Sequence, residues 1–147
     1  MKAVLLSFLA LILAGCGQQQ AGEMTQNSSL ERWYTNAQVE RGEPLFRENC
    51  AVCHGGEAQG LARDWRQPLP DGNYLPPPLN GSAHAWHHPL HVLQRTIELG
   101  GAPVGGQMPG FSDRLDREER LAIIAWFQDK WSDEIYALWY ERSGLEP

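Results

Sequence analysis

Two cysteines separated by two residues, with a histidine directly after the second, stand in the sequence CAVCHGG at residues 50–56. The side chains of Cys50, Cys53 and His54 are types that bind metals or take part in redox chemistry. The spacing suits three kinds of site: a redox dithiol, half of a zinc site, or the covalent attachment of a haem. The rest of the chain has to distinguish between them.

The other residues disfavour two of these three sites. A redox dithiol is usually found beside a βαβ pattern, and the segments between the glycines and prolines here have a helical period or none. A structural zinc site needs four ligands, and no cysteine follows Cys53. In the C-x-x-C-H motif the two thiols add to the vinyl groups of one porphyrin edge, and the histidine lies under the iron. We therefore expect one covalent haem c on Cys50 and Cys53, with His54 as an axial ligand.

The N-terminal residues are typical of an export signal. Lys2 precedes an apolar run over residues 3–14 that is shorter than a membrane-spanning helix. The run ends in LAGC at residues 13–16, which resembles the lipobox of bacterial lipoproteins. That resemblance implies a signal peptide over residues 1–15 and acylation of Cys16, which would also account for the odd third cysteine. The alternative is an ordinary export signal with a chance cysteine.

The segment after Cys16 and the overall charge bear on location and partners. Residues 16–36 begin with Gln, Gly, Ser and Asn, so we expect a flexible tether, with order starting near Trp33 and a folded domain over residues 37–147. The expected location is the periplasmic side of a bacterial cell envelope, with the outer membrane slightly favoured because Gly17 is not aspartate. A formal net charge of −6 argues against nucleic acid. The expected partners are other redox proteins and, through the lipid, the membrane.

Several separated motifs within residues 37–131 resemble those of class I cytochromes c. Gly42 and Phe46 have the spacing that this family uses on its first helix, and PPLNG at residues 77–81 is similar to the family's turn beneath the haem. The resemblance implies that the Pro77 carbonyl accepts a hydrogen bond from the proximal histidine, and that Leu79 packs on the haem face. A plain rigid loop is the alternative for the proline run.

A sixth iron ligand is implied by the same resemblance. Met108 lies in GGAPVGGQMPGF, a glycine-rich Met-Pro loop similar to the family's distal loop, and Met24 lies in the expected tether. The resemblance makes Met108 the second axial ligand; the alternative is a packing residue. Methionine ligation raises the reduction potential, which is typical of an electron carrier.

The helical pattern predicts an all-α fold with long loops. The first predicted helix covers residues 37–53 and contains Pro44, so it either kinks or starts near Glu43. The second covers residues 89–99, with Pro89 at its first position and Gly100 as its C-terminal cap. The third opens with a capping box formed by Asp116 and Glu119. The resemblance to class I cytochromes c implies that Ile123 and Trp126 pack this helix on the first, with Trp126 near Gly42 and Phe46.

An extra C-terminal helix is predicted after Ser132, which has the sequence of an N-cap. Its residues Ile135, Leu138 and Trp139 form an apolar edge that either packs on the domain or meets a partner; packing is favoured.

Four histidines close together leave more than one interpretation open: His84, His87, His88 and His91. On one helix face they could bind copper or zinc, but Pro89 disfavours helical geometry at the residue before it. Hydrogen bonding to the haem propionates, with help from Trp86, or a structural role is therefore favoured over a second metal and over a partner surface. Arg63 and Arg66, in the long loop 57–76, could also contact propionates.

Taken with the resemblance, these features predict a membrane-anchored extracytoplasmic electron-transfer protein that is not itself an enzyme. The alternative is a haem or metal sensor, or the haem-bearing subunit of a larger oxidoreductase.

Overall fold

A computed structural model of the protein describes residues 31–143 and residue 145, and within them it contains helices but no strand. The α-helices in chain order are α1 (Asn36–Asn49), α2 (Ala51–His54), α3 (Leu90–Leu99), α4 (Arg117–Asp129) and α5 (Asp133–Ser143). Two short 3-10 turns cover His84–His87 and Ala102–Val104. The predicted all-α fold with an extra C-terminal helix is confirmed. The predicted signal peptide, Cys16 and residues 17–30 of the tether lie outside the described residues.

The crossing of α1 and α4 forms the centre of the domain. A Cβ atom on Gly42 would overlap the carbonyl oxygen of Ala122, so only glycine lets the two helices approach this closely. One turn further along α1, the fully buried ring of Phe46 packs on Trp126 with 4.4 Å between ring centroids. The predicted meeting of Gly42, Phe46 and Trp126 is therefore confirmed.

Helix α1 differs from the prediction at both ends. It begins at Asn36, where the side chains of Thr35 and Gln38 form a capping box, so a start near Glu43 is wrong. Pro44 lies inside the helix on its exposed side, and the cap and the buried face offset the hydrogen bond that proline cannot make. The helix ends at Asn49. Its C-cap Cys50 has a φ of −120° and separates α1 from α2, so the segment is two helices rather than one.

The ends of α3 and α4 follow the local signals closely. Pro89 is the N-cap of α3 rather than its first residue, a shift of one position, and Gly100 ends the helix with a φ of 77°, which favours glycine. The capping box of α4 is present as predicted, with Glu119 N donating to Asp116 at 2.8 Å and Asp116 N donating to Glu119 at 3.0 Å.

The C-terminal helix α5 packs on the domain through its aromatic residues. Tyr136 and Trp139 are fully buried, Ile135 packs against the core, and Leu138 is exposed. The predicted packing of α5 is confirmed, but Tyr136 replaces Leu138 on the buried face. No helix in residues 31–143 has the length and apolar character needed to cross a membrane.

The segment before α1 is held against α4 and α5 by polar contacts. Arg32 pairs with Asp133 at 2.6 Å, the Trp33 amide donates to the Tyr136 hydroxyl at 2.9 Å, and the Trp33 indole donates to Gln128 at 2.6 Å. These contacts begin at Arg32, next to Trp33, where the sequence predicted that order starts.

Candidate functional site

The two cysteines of the C-x-x-C-H motif lie one helical turn apart. Cys50 ends α1 and Cys53 lies in α2, with the Cys53 and His54 amides both donating to the Cys50 carbonyl, at 3.1 and 2.9 Å. Both thiols are free, the first buried and the second exposed. Burial, with a smaller contribution from Cys53, raises the pKa of the Cys50 thiol to about 12. A raised pKa is the opposite of what a redox-active dithiol needs, since the thiolate is its nucleophile.

The histidine of the motif is buried and held by a backbone carbonyl. His54 Nδ1 lies 2.8 Å from the Pro77 oxygen. Because a carbonyl only accepts, the hydrogen bond places the proton on Nδ1 and leaves the lone pair of the neutral ring on Nε2. Burial lowers the pKa of His54, and the bond to Pro77 partly opposes that shift. The ring is therefore neutral at pH 7, with Nε2 able to bind a metal.

The turn that carries Pro77 is held at Leu79 by two other parts of the chain. The Leu79 amide donates to the Ala58 carbonyl at 2.7 Å, and the Leu79 carbonyl accepts from the Trp131 indole at 2.7 Å. Ala58 is fully buried with a φ of 55°, an uncommon conformation for a residue other than glycine. Sequence reasoning missed Ala58 and Trp131, because neither has a local pattern that reveals a partner so far away.

Met108 is held mainly by backbone contacts. Its carbonyl accepts from the Gly101 amide at 2.9 Å, and the preceding residues 102–107 are exposed. The partly buried Met108 and Leu79 both pack against the hydrophobic core that contains Cys50. The structure thus brings Cys50, Leu79 and Met108 to one apolar core and brings His54 to Pro77.

The histidine cluster is not assembled as a metal site. His84 stacks on Trp65 with 4.9 Å between ring centroids, and His87 packs edge-on against Trp86 at 4.0 Å. Pro89 at the start of α3 separates the 3-10 turn from His91, as the sequence argument anticipated. Across the described part of the chain, no group of three or more His, Cys, Asp or Glu residues could hold a metal ion. A second metal site at His84, His87, His88 and His91 stays a prediction that the arrangement of these side chains does not support.

The long loop before the Pro77 turn forms an open surface depression of about 990 Å³ that Arg63 and Arg66 help to line. The Arg66 guanidinium lies over the Trp65 ring, 4.9 Å from its centroid. Contact between either arginine and a haem propionate stays a prediction.

Comparison with known proteins gives one family and two relatives. The family model described as "Cytochrome C oxidase, cbb3-type, subunit III" matches residues 37–127. The cbb3-type cytochrome c oxidase subunit CcoP of Azospirillum brasilense is 38% identical over 84 residues, which cover 54% of this chain but only 24% of that relative. Cytochrome c-551 of Bacillus subtilis (strain 168) is 25% identical over 122 residues, 83% of this chain and 88% of the relative. No solved structure gives a significant match.

Proposed function

Because the chain belongs to the cbb3-type cytochrome c oxidase subunit III family and is a class I c-type cytochrome, we propose that it is a membrane-anchored, extracytoplasmic electron-transfer protein. Its one haem c is attached to Cys50 and Cys53, with His54 and Met108 as axial ligands. It is an electron carrier rather than an enzyme. A lipid on Cys16 holds it on the periplasmic side of a bacterial cell envelope, with the outer membrane favoured over the inner.

The observation that carries this proposal is the 2.8 Å contact between His54 Nδ1 and the Pro77 carbonyl. A second partner on the far nitrogen fixes the tautomer and orientation of a metal-bound histidine and strengthens it as a ligand. A buried histidine directly after two free thiols, already held in this way, is what an axial haem ligand requires.

The other side chains of the site also fit a covalent haem c. Cys50 and Cys53 supply two thiols one helical turn apart, which suits the two attachment points on one porphyrin edge. Met108 supplies a thioether, and Leu79 contributes apolar surface to the same core. The haem would supply one-electron redox chemistry when bound; the chain supplies a fixed histidine and an apolar surround that limits water.

A second candidate function is that of a haem-bearing subunit in a larger oxidoreductase. The similarity to an oxidase subunit of Azospirillum brasilense favours it, although the chain spans only 24% of that relative's length. The exposed Leu138 and Tyr140 on α5 would suit contact with another subunit.

The proposal is tested by expressing the full chain in a bacterium that attaches haem c. We expect membrane-bound protein whose haem survives acid extraction and titrates as one reversible one-electron centre. Cys16→Ser should release the protein from the membrane with its haem intact. Conversely, the double variant Cys50→Ser/Cys53→Ser should stay in the membrane fraction without covalent haem.

Two results would contradict parts of the proposal. Acid-extractable haem in the wild type would exclude the thioether bonds, and unchanged fractionation of Cys16→Ser would exclude the anchor. Native size after detergent extraction separates the two candidate functions, because a carrier migrates alone and a subunit migrates with terminal oxidase activity.

A further inference from the structure

One indole reaches from the C-terminal part of the chain to the turn beside His54. Trp131 lies between α4 and α5 and is 3% exposed. Its Nε1 donates to the Leu79 carbonyl at 2.7 Å. An indole nitrogen can only donate, and Leu79 lies two residues after Pro77, whose carbonyl accepts from His54.

The same turn also packs directly on the indole ring. Gly81 has a φ of 92°, and a Cβ there would lie 3.1 Å from Cδ1 and 3.4 Å from Cγ of Trp131. On the other side of the turn, the Leu79 amide donates to the Ala58 carbonyl. Leu79 is therefore held at its amide by the loop after the C-x-x-C-H motif and at its carbonyl by Trp131.

The indole is itself held in a fixed orientation. The Trp131 amide donates to the Gln128 carbonyl at 3.0 Å, which closes the end of α4. The ring packs edge-on against Trp139 of α5, with 6.0 Å between centroids, and lies 6.2 Å from the ring of Phe127. Because the Trp131 indole has so little freedom to move, it can hold the Leu79 carbonyl in one position, whereas a mobile surface side chain could not.

We propose that Trp131 is a positioning residue for His54. By fixing the Leu79 carbonyl it fixes the neighbouring Pro77 carbonyl, and so sets the strength of the hydrogen bond to His54 Nδ1. A stronger bond makes the imidazole more basic and favours the ferric state. The inference rests on the proposed function, since it requires His54 to be a haem ligand, and it adds a residue outside the haem-binding motifs.

The test uses two tryptophans that make the same kind of bond. Trp131→Phe keeps a ring and removes the N–H donated to Leu79. The matched control is Trp33→Phe, since the Trp33 indole donates to the side-chain carbonyl oxygen of the fully buried Gln128 at 2.6 Å and its ring packs on Tyr34 rather than on Trp131. Each haem-loaded variant is measured for its thermal midpoint, its reduction potential and, by NMR, the rate of hydrogen exchange at His54 Nδ1.

We expect both variants to lose stability to a similar extent, because each leaves one buried carbonyl without its donor. Only Trp131→Phe should raise the reduction potential and accelerate exchange at Nδ1. If that variant does not fold, Gly81→Ala provides a second route, because the added methyl pushes the turn off the indole and should shift both measurements in the same direction.

The outcomes separate this inference from the proposed function. Equal shifts in the Trp131→Phe and Trp33→Phe proteins, or no shift in the former, overturn the positioning role alone. A wild type without covalent haem overturns the proposed function, and the inference with it.

Discussion

The two sides of the proposed haem site are held in different ways. On the proximal side, the turn that contacts His54 is fixed by hydrogen bonds from distant parts of the chain, including the side chain of Trp131. On the distal side, Met108 is held by the backbone of nearby glycines, with the Gly101 amide donating to its carbonyl at 2.9 Å. The proximal side therefore depends on a side chain that is distant in the sequence. The distal side depends on nearby glycines, which have no side chain and so allow close backbone packing.

The distal glycines show how close that backbone packing is. A Cβ on Gly100 would overlap the Met108 carbonyl oxygen and lie 2.7 Å from the Gly110 amide nitrogen. A Cβ on Gly110 would lie 2.8 Å from the carbonyl oxygen of Glu98, at the end of α3. Real side chains do not fit at such distances, so the loop keeps its course only with glycine at these positions. We therefore expect the loss of a hydrogen bond on the proximal side to change the properties of the site gradually. On the distal side, an added side-chain atom should disrupt the loop outright.

The largest effect is expected from Met108→Ala, which removes the proposed distal ligand outright. The variant should lose the near-infrared sulfur-to-iron band of the ferric protein, have a lower reduction potential and bind carbon monoxide rapidly, because the sixth position is open. Absorption spectra and stopped-flow mixing measure this.

The matched control for this prediction is Gln107→Ala, an exposed neighbour, which should behave as the wild type. Rapid carbon monoxide binding by the wild type would contradict the ligand assignment and favour a sensor. A spectrum unchanged by Met108→Ala would point to a different sixth ligand, with a histidine from residues 84–91 as the main rival.

The next largest effect is expected from added volume in the distal loop. Gly100 and Gly105 both have a φ of 77°, but a Cβ on Gly105 would meet nothing within 4 Å. Gly105→Ala should therefore cost only the left-handed backbone, about 1–2 kcal/mol. Gly100→Ala adds overlap with the Met108 backbone, which costs about 1–3 kcal/mol more. It should also weaken the sulfur-to-iron band, while Gly105→Ala should retain it.

Chemical denaturation and ferric spectra of the haem-loaded proteins check this pair. If both variants lost the same stability and kept the same sulfur-to-iron band, the effect would come from backbone conformation alone. Close packing of the distal loop would then not be needed to hold Met108.

Local signals in the sequence predicted the main helices, except that the first predicted helix is divided at Cys50. The capping box of α4 and the glycine end of α3 depend on residues within one turn of the helix end, so short patterns reveal them. Gly42 and Trp126 were matched through the family resemblance, and the structure places them in contact.

The contacts that hold the proximal turn could not be predicted in this way. Leu79 and Trp131 are 52 residues apart, and the spacing of apolar residues carries no information about which indole reaches which carbonyl. The sequence also did not predict the left-handed conformation of Ala58, because an alanine at this position looks like an ordinary loop residue. The hydrogen bond from Trp33 to Gln128 was not predicted, because the expected start of order near Trp33 does not identify a partner 95 residues away.

The smallest effect is expected from a surface ion pair on the proximal side. Glu57 lies three residues after His54 and pairs with Lys130 of the α4 end at 2.7 Å and with Arg47 of α1 at 3.3 Å. It therefore joins the loop after the C-x-x-C-H motif to both crossing helices. The hydrogen bond and charge of Lys130 lower the pKa of Glu57, and Arg47 lowers it further. Because the carboxylate is exposed, water and salt weaken both pairs.

Glu57→Gln should accordingly lower the thermal midpoint only slightly at pH 7, and less than Gly105→Ala. A carboxyl group whose pKa is lower in the folded than in the unfolded chain stabilises the fold above its unfolded pKa, about 4.3, and loses that contribution as the pH falls through the folded value. The difference in thermal midpoint between wild type and Glu57→Gln should therefore shrink below about pH 4 and in high salt.

Glu118→Gln is the matched control, since Glu118 pairs only with its neighbour Arg117 among the described ion pairs and joins no two elements. Thermal melts from pH 7 to pH 3 measure both variants. A difference that persists in acid, or a weaker Met108 band in Glu57→Gln, would mean that this pair does more than join the proximal loop to the helices. In that case the two sides of the site would not be held independently.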